Sequence, residues 1–313
     1  MKAIFTYDYG SEKMDSIRKL GYEIDIVHES EIENNSRVND AEILVCYNPF
    51  DRIDVSEMEK LKWIQLSSIG FDQLPVEDVL DQEIIVTNNQ GGYSKPMGEW
   101  IVMNILEILK NRKSFYAKQK ERVWKLDSGI LELVDKKVAF LGTGTIAQEA
   151  AKRLQGFEAN IIGFNTSGHD TDHFDACYKI DDLENHLPQL DVVVVTLPHT
   201  EKTHHFMNQS RMNLMRDDSI LINVSRGPNV DEQALIDALK HDKFLGVALD
   251  VYSSEPLSKD SPLWDIDRAY LSPHNSWVSE MKNERRFRMI YKNMQNYIEG
   301  RPLVNRVNIA RGY

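Results

Sequence analysis

The sequence predicts an α/β protein built on doubly wound parallel sheets, and three observations lead to this fold class. Short apolar runs alternate with helical or polar stretches along the chain, which is typical of parallel strands joined by helices. Several runs lack the polar alternation of a half-exposed strand, which indicates strands buried on both faces. At 313 residues, the chain is also long enough for two domains.

Five runs in the first hundred residues predict the strands of one sheet: Ala3–Thr6, Tyr22–Val27, Ile43–Tyr47, Trp63–Leu66 and Ile84–Thr87. The turn SSIGFDQLP directly follows the fourth run. Ligands of open parallel sheets bind beyond the carboxyl ends of the strands. The backbone N–H groups of Ser68, Ile69 and Gly70 are therefore candidates for binding a carboxylate. An ordinary glycine turn accounts for the same residues equally well.

The next segment predicts a boundary between two domains. Its apolar spacing predicts a long helix from Met97 to about Tyr116, and Pro96 can stand in the first turn of that helix. The basic, less apolar run Lys110–Lys125 then leads into a link. We therefore place a domain boundary near residue 96.

Residues 136–165 carry the most specific local pattern in the chain. They predict a buried strand at Val138–Leu141, then a helix, then a second strand at Ile161–Asn165. Gly142, Gly144 and Ala147 have the G-x-G-x-x-G/A spacing of a dinucleotide-binding turn between the first strand and the helix. A turn without a ligand is the alternative, but the flanking strand and helix favour the binding site.

The two glycines of this turn, the start of the helix and the end of the second strand each have a role in binding a dinucleotide. Gly142 permits the tight turn, and Gly144 lets a pyrophosphate approach the backbone. The helix begins near Thr145, so Thr145 and Ile146 lie at its amino end, where free N–H groups and the helix dipole favour phosphates. Asn165, at the end of the second strand, stands about where such a unit places the residue that reads the adenosine ribose.

The rest of the chain continues the alternation of strands and helices. We predict four more strands: Asp191–Leu197, Ser219–Val224, Phe244–Leu249 and Ala269–Leu271. Asp231–His241 predicts a helix with Asp231 as its N-cap, and Ser279–Gly300 is helical by periodicity. The polar segment TSGHDTDHFDA after Asn165 is interpreted as a loop over the adenosine end of the ligand.

Three charged residues each lie just past the carboxyl end of a predicted strand: Arg226, Glu255 and His274. Parallel strands bring such positions to one edge of a sheet. A guanidinium can bind a carboxylate through two hydrogen bonds, and an imidazolium can donate a proton to a carbonyl oxygen. A carboxylate behind the ring would orient it and favour its protonated form. Each residue alone is commonly a plain surface residue, but together they predict acid–base chemistry beside a dinucleotide.

Composition excludes several other classes of function. A net charge of −12 argues against nucleic acid or an anionic membrane as the main partner. We expect no membrane span and no signal peptide, and a cytoplasmic location. Cys46 and Cys177 match no metal or redox spacing. The histidines at 169, 173, 199, 204 and 205 lack carboxylates at ligand spacing, so we predict no metal site.

These residues resemble the D-isomer-specific 2-hydroxyacid dehydrogenase family over most of the chain, most specifically from Leu133 to Ser276. VDKKVAFLGTGTIA is similar to the cofactor fingerprint of the family, with Ala147 where glycine is commoner. LPHTEKTHHFMN resembles its "LP-x-T-x-x-T" segment. ILINVSRGPNVDEQAL, ALDVYSSEPL and LSPHNSW resemble the motifs that carry the arginine, the acidic residue and the acid/base histidine, on Arg226, Glu255 and His274.

The resemblance implies two Rossmann-like domains with a cleft between them, in an NAD(P)-dependent enzyme that interconverts a 2-ketoacid and a D-2-hydroxyacid. It implies a discontinuous substrate domain, residues 1–95 plus 279–313, around a cofactor domain of residues 96–278, and a homodimer. It places substrate binding on Ser68, Ile69, Gly70 and Arg226. It places cofactor binding on Gly142, Gly144, Thr145, Ile146, Asn165, Thr166, Ser167, Leu197, Pro198, Thr200, Val224, Ser225 and Asp250.

One departure from the family pattern concerns the choice of cofactor. Members that prefer NAD usually have an aspartate where Asn165 stands, and its charge repels a 2′-phosphate. Asn165 lacks that repulsion, and Thr166 and Ser167 can donate hydrogen bonds, so we favour NADP(H) over NAD(H), although no arginine follows. Hydroxypyruvate, glyoxylate, another 2-ketoacid and phosphoglycerate all stay open as substrates. A dinucleotide-sensing co-repressor without useful turnover is the alternative function.

Overall fold

A computed structural model describes residues 1–309 and contains twelve β-strands and ten α-helices in that range. The strands, β1 to β12 in chain order, are Lys2–Phe5, Glu23–Ile26, Ile43–Cys46, Trp63–Leu66, Ile85–Thr87, Lys137–Leu141, Asn160–Asn165, Ala176–Lys179, Val192–Val195, Ser219–Asn223, Phe244–Leu249 and Ala269–Leu271. The helices, α1 to α10, are Ser11–Arg18, Ser36–Asn39, Val76–Asp81, Ser94–Leu109, Arg112–Glu121, Thr145–Leu154, Leu183–His186, Gln209–Leu214, Glu232–Lys240 and Lys282–Ile298.

The chain forms two compact units, which we describe separately. Unit 1 contains Met1–Tyr93 and the described chain from Ser279 onward. Its five parallel strands have the order β2-β1-β3-β4-β5. Helix α10 belongs to this unit because its apolar face, through Phe287, Ile290 and Met294, is buried in the same cluster as residues of β1, β3 and β4. Removing that face from water stabilises the attachment of the C-terminal helix to the N-terminal sheet.

Unit 2 contains Ser94–Val278, with seven parallel strands in the order β12-β11-β10-β9-β6-β7-β8. The chain therefore runs outward in one direction from β6 through β7 to β8, and in the other from β9 to β12. Such a reversal leaves a crevice at the carboxyl ends of the central strands, where open α/β sheets bind their ligands. Here the reversal falls between β6 and β9. The predicted fold class, two doubly wound parallel sheets, is confirmed.

Two local predictions were wrong. The helix predicted from Met97 to Tyr116 is interrupted, because Asn111 adopts a left-handed conformation with φ 47° between α4 and α5. Helix α5 then continues to Glu121, through most of the basic run that precedes the predicted link. Strand β8 was missed because the short run Ala176–Lys179 is half polar and follows a polar loop. It is an edge strand, where burial imposes little apolar pattern.

In residues 1–309, none of the helices is both long enough and apolar enough to cross a membrane.

Candidate active site

The three charged residues that the sequence singled out follow three neighbouring strands of unit 2. Arg226 lies beyond β10, Glu255 beyond β11 and His274 beyond β12, and β11 pairs with both of the other strands. All three strands are parallel, so the three residues leave the same edge of the sheet.

His274 and Glu255 form a direct pair. The Nδ1 atom of His274 lies 2.8 Å from Oε2 of Glu255, and the second carboxylate oxygen accepts a hydrogen bond of 3.1 Å from the backbone N–H of Tyr252. Since an ionised carboxylate can only accept, the imidazole must carry a proton on Nδ1. The ring is therefore oriented with Nε2 directed away from Glu255, and its side chain keeps 42% of its surface exposed. This leaves Nε2 free for proton transfer.

Asp250 holds the loop that carries His274. Its carboxylate is fully buried and accepts hydrogen bonds from the N–H of Asn275 (2.7 Å), from the N–H of Ser276 (2.9 Å) and from the hydroxyl of Ser272. These contacts bracket His274, which itself has a left-handed backbone with φ 50°. Asp250 was predicted as a cofactor ligand, and its anchoring of this loop was not predicted from the sequence. A cofactor contact of Asp250 stays a prediction.

The loop after β10 is held just as closely. Asn223 accepts hydrogen bonds from the N–H and the hydroxyl of Ser225 and donates one of 2.9 Å to the carbonyl of Arg226. A Cβ atom on Gly227 would lie only 1.8 Å from the carbonyl oxygen of Tyr252. The absence of a side chain at Gly227 therefore lets the Arg226 loop pack directly against the loop that leads to Glu255.

The glycine turn after β6 has the geometry that a dinucleotide needs. Gly142 has φ +95°, and a Cβ there would lie 3.2 Å from the backbone of Thr196, so this turn packs against the end of β9. Around Gly144, by contrast, no heavy atom lies within 4 Å of an added Cβ. Helix α6 begins at Thr145 with neither a side-chain cap nor an acidic residue in its first turn. Its amino end thus offers unshielded N–H donors to a phosphate beside open space.

Asn165 is placed differently from a simple ribose ligand. Its side chain is buried, and Oδ1 accepts hydrogen bonds from the N–H groups of Ser167 (3.3 Å), Gly168 (2.7 Å) and His169 (3.2 Å). Asn165 therefore shapes the loop that follows β7. Thr166 and Ser167 are exposed on this loop.

Strand β8 brings a lysine, Lys179, beside this loop. Neither the strand nor the lysine's position was predicted from the sequence. Lys179 is the β8 partner of Asn165 in the parallel register. Its Cγ lies 3.1 Å from the position of a Cβ on Gly168, so its stem contacts the loop that carries Thr166 and Ser167. Only the pairing of β8 with β7 reveals this neighbourhood.

The remaining predicted cofactor residues lie at the carboxyl ends of β9 and β10. Leu197, Pro198 and Thr200 follow β9, while Val224 and Ser225 follow β10 and are buried. Asn229, which was not predicted, joins the two ends, since its Nδ2 donates to the carbonyl of Leu197 (2.9 Å) and to Oγ of Ser225 (3.0 Å). Direct cofactor contacts of these residues stay predictions.

In unit 1, four consecutive carbonyl groups of the predicted carboxylate-binding loop each accept a hydrogen bond from another group of the same unit. Tyr93 Oη donates to the carbonyl of Ser67 (2.6 Å), the N–H of Asn89 to that of Ser68 (2.8 Å), Nδ2 of Asn88 to that of Ile69 (2.7 Å) and Oγ of Ser68 to that of Gly70 (2.7 Å). In a trans peptide the C=O and the next N–H point in opposite directions. These hydrogen bonds therefore direct the N–H groups of Ser68, Ile69 and Gly70 away from the donors that bind the carbonyl groups.

Within residues 1–309, no group of three or more histidine, cysteine, aspartate or glutamate side chains could hold a metal ion. His204 and His205 stack on each other with ring centroids 4.1 Å apart, and His199 lies beside His204.

Comparisons with known proteins agree with this geometry. A family model described as "D-isomer specific 2-hydroxyacid dehydrogenase, NAD binding domain" matches residues 102–276. The chain is 30% identical over 291 residues to a glyoxylate reductase from Thermofilum pendens, over 88% of this chain and 85% of that protein. It is 30% identical to a D-3-phosphoglycerate dehydrogenase from Methanocaldococcus jannaschii, over 87% of this chain but 53% of that protein. A solved structure of a D-isomer-specific 2-hydroxyacid dehydrogenase family protein from Aeromonas salmonicida is 26% identical, with a TM-score of 0.80 over 98% of both chains.

Proposed function

The chain belongs to the D-isomer-specific 2-hydroxyacid dehydrogenase family, and we propose that it reduces a small, unphosphorylated 2-ketoacid to the D-2-hydroxyacid. As a member, it is an oxidoreductase that uses a nicotinamide dinucleotide to interconvert 2-ketoacids and 2-hydroxyacids. The observation that carries the proposal is the His274–Glu255 pair, 2.8 Å apart, at the strand edge that also carries Arg226 and the glycine turn.

A dinucleotide held at Gly142, Gly144 and the amino end of α6 would supply the hydride that the carbonyl carbon accepts. His274 delivers its Nε2 proton to the carbonyl oxygen, so that the C=O double bond becomes a C–OH group. Glu255 stays ionised on the other side of the ring and stabilises the imidazolium before the transfer. In the oxidation direction, Nε2 of the neutral ring accepts the hydroxyl proton. Proton transfer by a positioned group of this kind contributes about 10²- to 10⁴-fold in rate.

Arg226 has the chemistry to bind the substrate carboxylate and to polarise the neighbouring carbonyl. We assign it that role because Asn223 and Gly227 fix its loop on both sides. We also assign carboxylate binding to the N–H groups of Ser68, Ile69 and Gly70. Hydrogen bonds to the preceding carbonyl groups fix the directions of these N–H groups. The loops YNPF and SSIGFDQLP contain no lysine or arginine, apart from nearby Arg52, which disfavours a phosphorylated substrate.

We propose that the preferred cofactor is NADP(H). Asn165 carries no charge to repel a 2′-phosphate, and its Oδ1 is occupied by three backbone N–H groups. The hydroxyls of Thr166 and Ser167 are exposed, and the stem of Lys179 lies against the same loop. Lys179 has the positive charge to bind a 2′-phosphate at this loop, which contains no arginine of its own.

We propose that the chain forms a homodimer through an apolar segment of unit 2. The chain between α5 and β6 exposes six large apolar side chains: Val123, Trp124, Leu126, Ile130, Leu131 and Val134. Trp124 is 100% exposed and Leu126 is 90% exposed. Burying a fully exposed large apolar side chain is worth about 1.5–3 kcal/mol, a value that applies here to Trp124 and Leu126, while the four half-exposed side chains add less. A second copy that covers this segment removes that apolar surface from water.

The test is a steady-state assay in which the loss of reduced-cofactor absorbance is followed with a panel of small 2-ketoacids. NADPH and NADH are run side by side, with glyoxylate, hydroxypyruvate, pyruvate and 3-phosphohydroxypyruvate as substrates. We expect turnover with an unphosphorylated acid and a higher kcat/KM with NADPH. A higher kcat/KM with the phosphorylated acid would refute the substrate proposal. A large preference for NADH would refute the cofactor proposal. Tight cofactor binding without turnover of any acid would favour the sensing alternative.

A further inference from the structure

The hydrogen bond to the carbonyl of Ser67 comes from Tyr93, which in turn contacts Arg286. No sequence motif identified either residue. Tyr93 is 5% exposed, and its Oη donates a 2.6 Å hydrogen bond to the carbonyl of Ser67. Because the peptide between Ser67 and Ser68 is planar, this bond also sets the direction of the Ser68 N–H. That N–H is the first of the three donors to which we assign carboxylate binding.

Arg286 of helix α10 donates to the oxygen of the same phenol and so supports the direction of this bond. Its Nε donates to Tyr93 Oη at 2.8 Å, and its Nη2 donates to the same oxygen. A guanidinium has no acceptor and a carbonyl has no donor. The phenol proton of Tyr93 is therefore not used on Arg286 and is donated to Ser67 at 2.6 Å, while the side chain of Asn89 also contacts the phenol. Burial raises the pKa of the Tyr93 phenol, so the proton stays in place at neutral pH.

The charge on Arg286 lacks a carboxylate partner. In the described part of the chain, no aspartate or glutamate pairs with Arg286, and the ionisable groups facing it are the phenols of Tyr93 and Tyr9. Burial raises the pKa of Tyr9 as well, so both phenols are neutral. Arginine stays protonated, and Arg286 is only half-buried, so water screens part of its charge. The unscreened part of this charge adds a positive potential for an anion that binds nearby.

We propose that Arg286 and Tyr93 are positioning residues for 2-ketoacid reduction, acting through Ser67. They hold the Ser68 N–H in the direction that receives the substrate carboxylate, and the uncompensated guanidinium adds a positive potential at that loop. This inference rests on the proposed function. It links substrate recognition to helix α10, which lies far from the loop in sequence.

The decisive variant is Tyr93→Phe, which removes the hydroxyl and leaves the ring. We expect KM for the best 2-ketoacid, and the inhibition constant of oxamate, to rise by about 3- to 10-fold, the effect of one lost hydrogen bond. The dissociation constant of NADPH should not change. Tyr22→Phe is the matched control, because Tyr22 is equally buried in unit 1 and its Oη donates to the carbonyl of Met294 at 2.8 Å, away from the loop. It should leave KM and oxamate inhibition unchanged.

Arg286→Gln tests the charge, and Arg286→Lys separates charge from orientation. We expect Arg286→Gln to raise KM for the 2-ketoacid and the inhibition constant of oxamate by about 10- to 100-fold. Arg286→Lys keeps the charge but not the two hydrogen bonds to Tyr93, so it should raise KM and the inhibition constant by less. If the Arg286→Gln variant fails to fold, Tyr93→Phe alone decides. The inference is overturned if Tyr93→Phe changes KM and oxamate inhibition by less than twofold, or no more than Tyr22→Phe does. A wild-type protein without ketoacid turnover would instead overturn the proposed function itself.

Discussion

Adding one methyl group at Gly144 should weaken cofactor binding and leave the stability of the fold nearly unchanged. No heavy atom lies within 4 Å of a Cβ on Gly144, and its φ of −70° suits alanine, so Gly144→Ala should change the free energy of unfolding by no more than about 0.5 kcal/mol. A phosphate oxygen accepts from a backbone N–H at about 2.9 Å, whereas a methyl carbon keeps an oxygen at about 3.3 Å or more. Losing one hydrogen bond to a charged phosphate costs about 1.5–3 kcal/mol. We therefore expect binding of either dinucleotide to weaken by about 10- to 150-fold.

The assay is a fluorescence titration of the variant with NADPH and NADH, alongside thermal unfolding without cofactor. Gly156→Ala is the control, because Gly156 also has no heavy atom within 4 Å of an added Cβ but lies beyond the carboxyl end of α6. The control should bind both dinucleotides as the wild type does. Unchanged dinucleotide affinity in Gly144→Ala would refute the argument that the pyrophosphate approaches the backbone at this turn.

Four further substitutions test the other parts of the site. His274→Ala should lower kcat by about 10²- to 10⁴-fold while the dissociation constant of NADPH, measured by fluorescence, stays unchanged; near-normal turnover would exclude the acid/base role. Gly227→Ala places a Cβ 1.8 Å from a backbone oxygen, so we expect calorimetry to show a loss of about 3 kcal/mol or more in unfolding free energy, and a wild-type unfolding curve would contradict the close packing. Lys179→Ala should lower kcat/KM with NADPH by about 5-fold and leave NADH unaffected, whereas equal losses with both cofactors would remove its 2′-phosphate role. Trp124→Asp should shift the mass measured by light scattering from dimer to monomer, and an unchanged dimer would place the interface elsewhere.

The site depends on loops that are fixed by buried polar side chains rather than by their own sequences. Asp250 accepts three hydrogen bonds from the His274 loop, and Asn223 holds the Arg226 loop. Such side chains keep the proposed catalytic groups in place because a buried polar atom that loses its partner costs about 1–3 kcal/mol. Substituting either one should therefore disturb catalysis without touching a reacting group.

The sequence alone determined the fold class and most of the strands, because strands buried on both faces need apolar runs that stand out against polar loops. Trp63–Leu66, Phe244–Leu249 and Ala269–Leu271 were predicted with the bounds that the structure has. The sequence also singled out Arg226, Glu255 and His274, because positions just past parallel strands share one edge.

Only the tertiary structure decided which residues support that edge. Lys179 becomes the neighbour of Asn165 through the pairing of β8 with β7, and Arg286 reaches the carboxylate loop through the packing of α10 on the N-terminal sheet. The physical reason is that these contacts join residues far apart in the chain. Their local sequences carry no trace of the partner, since direction and distance arise only when the sheets are assembled.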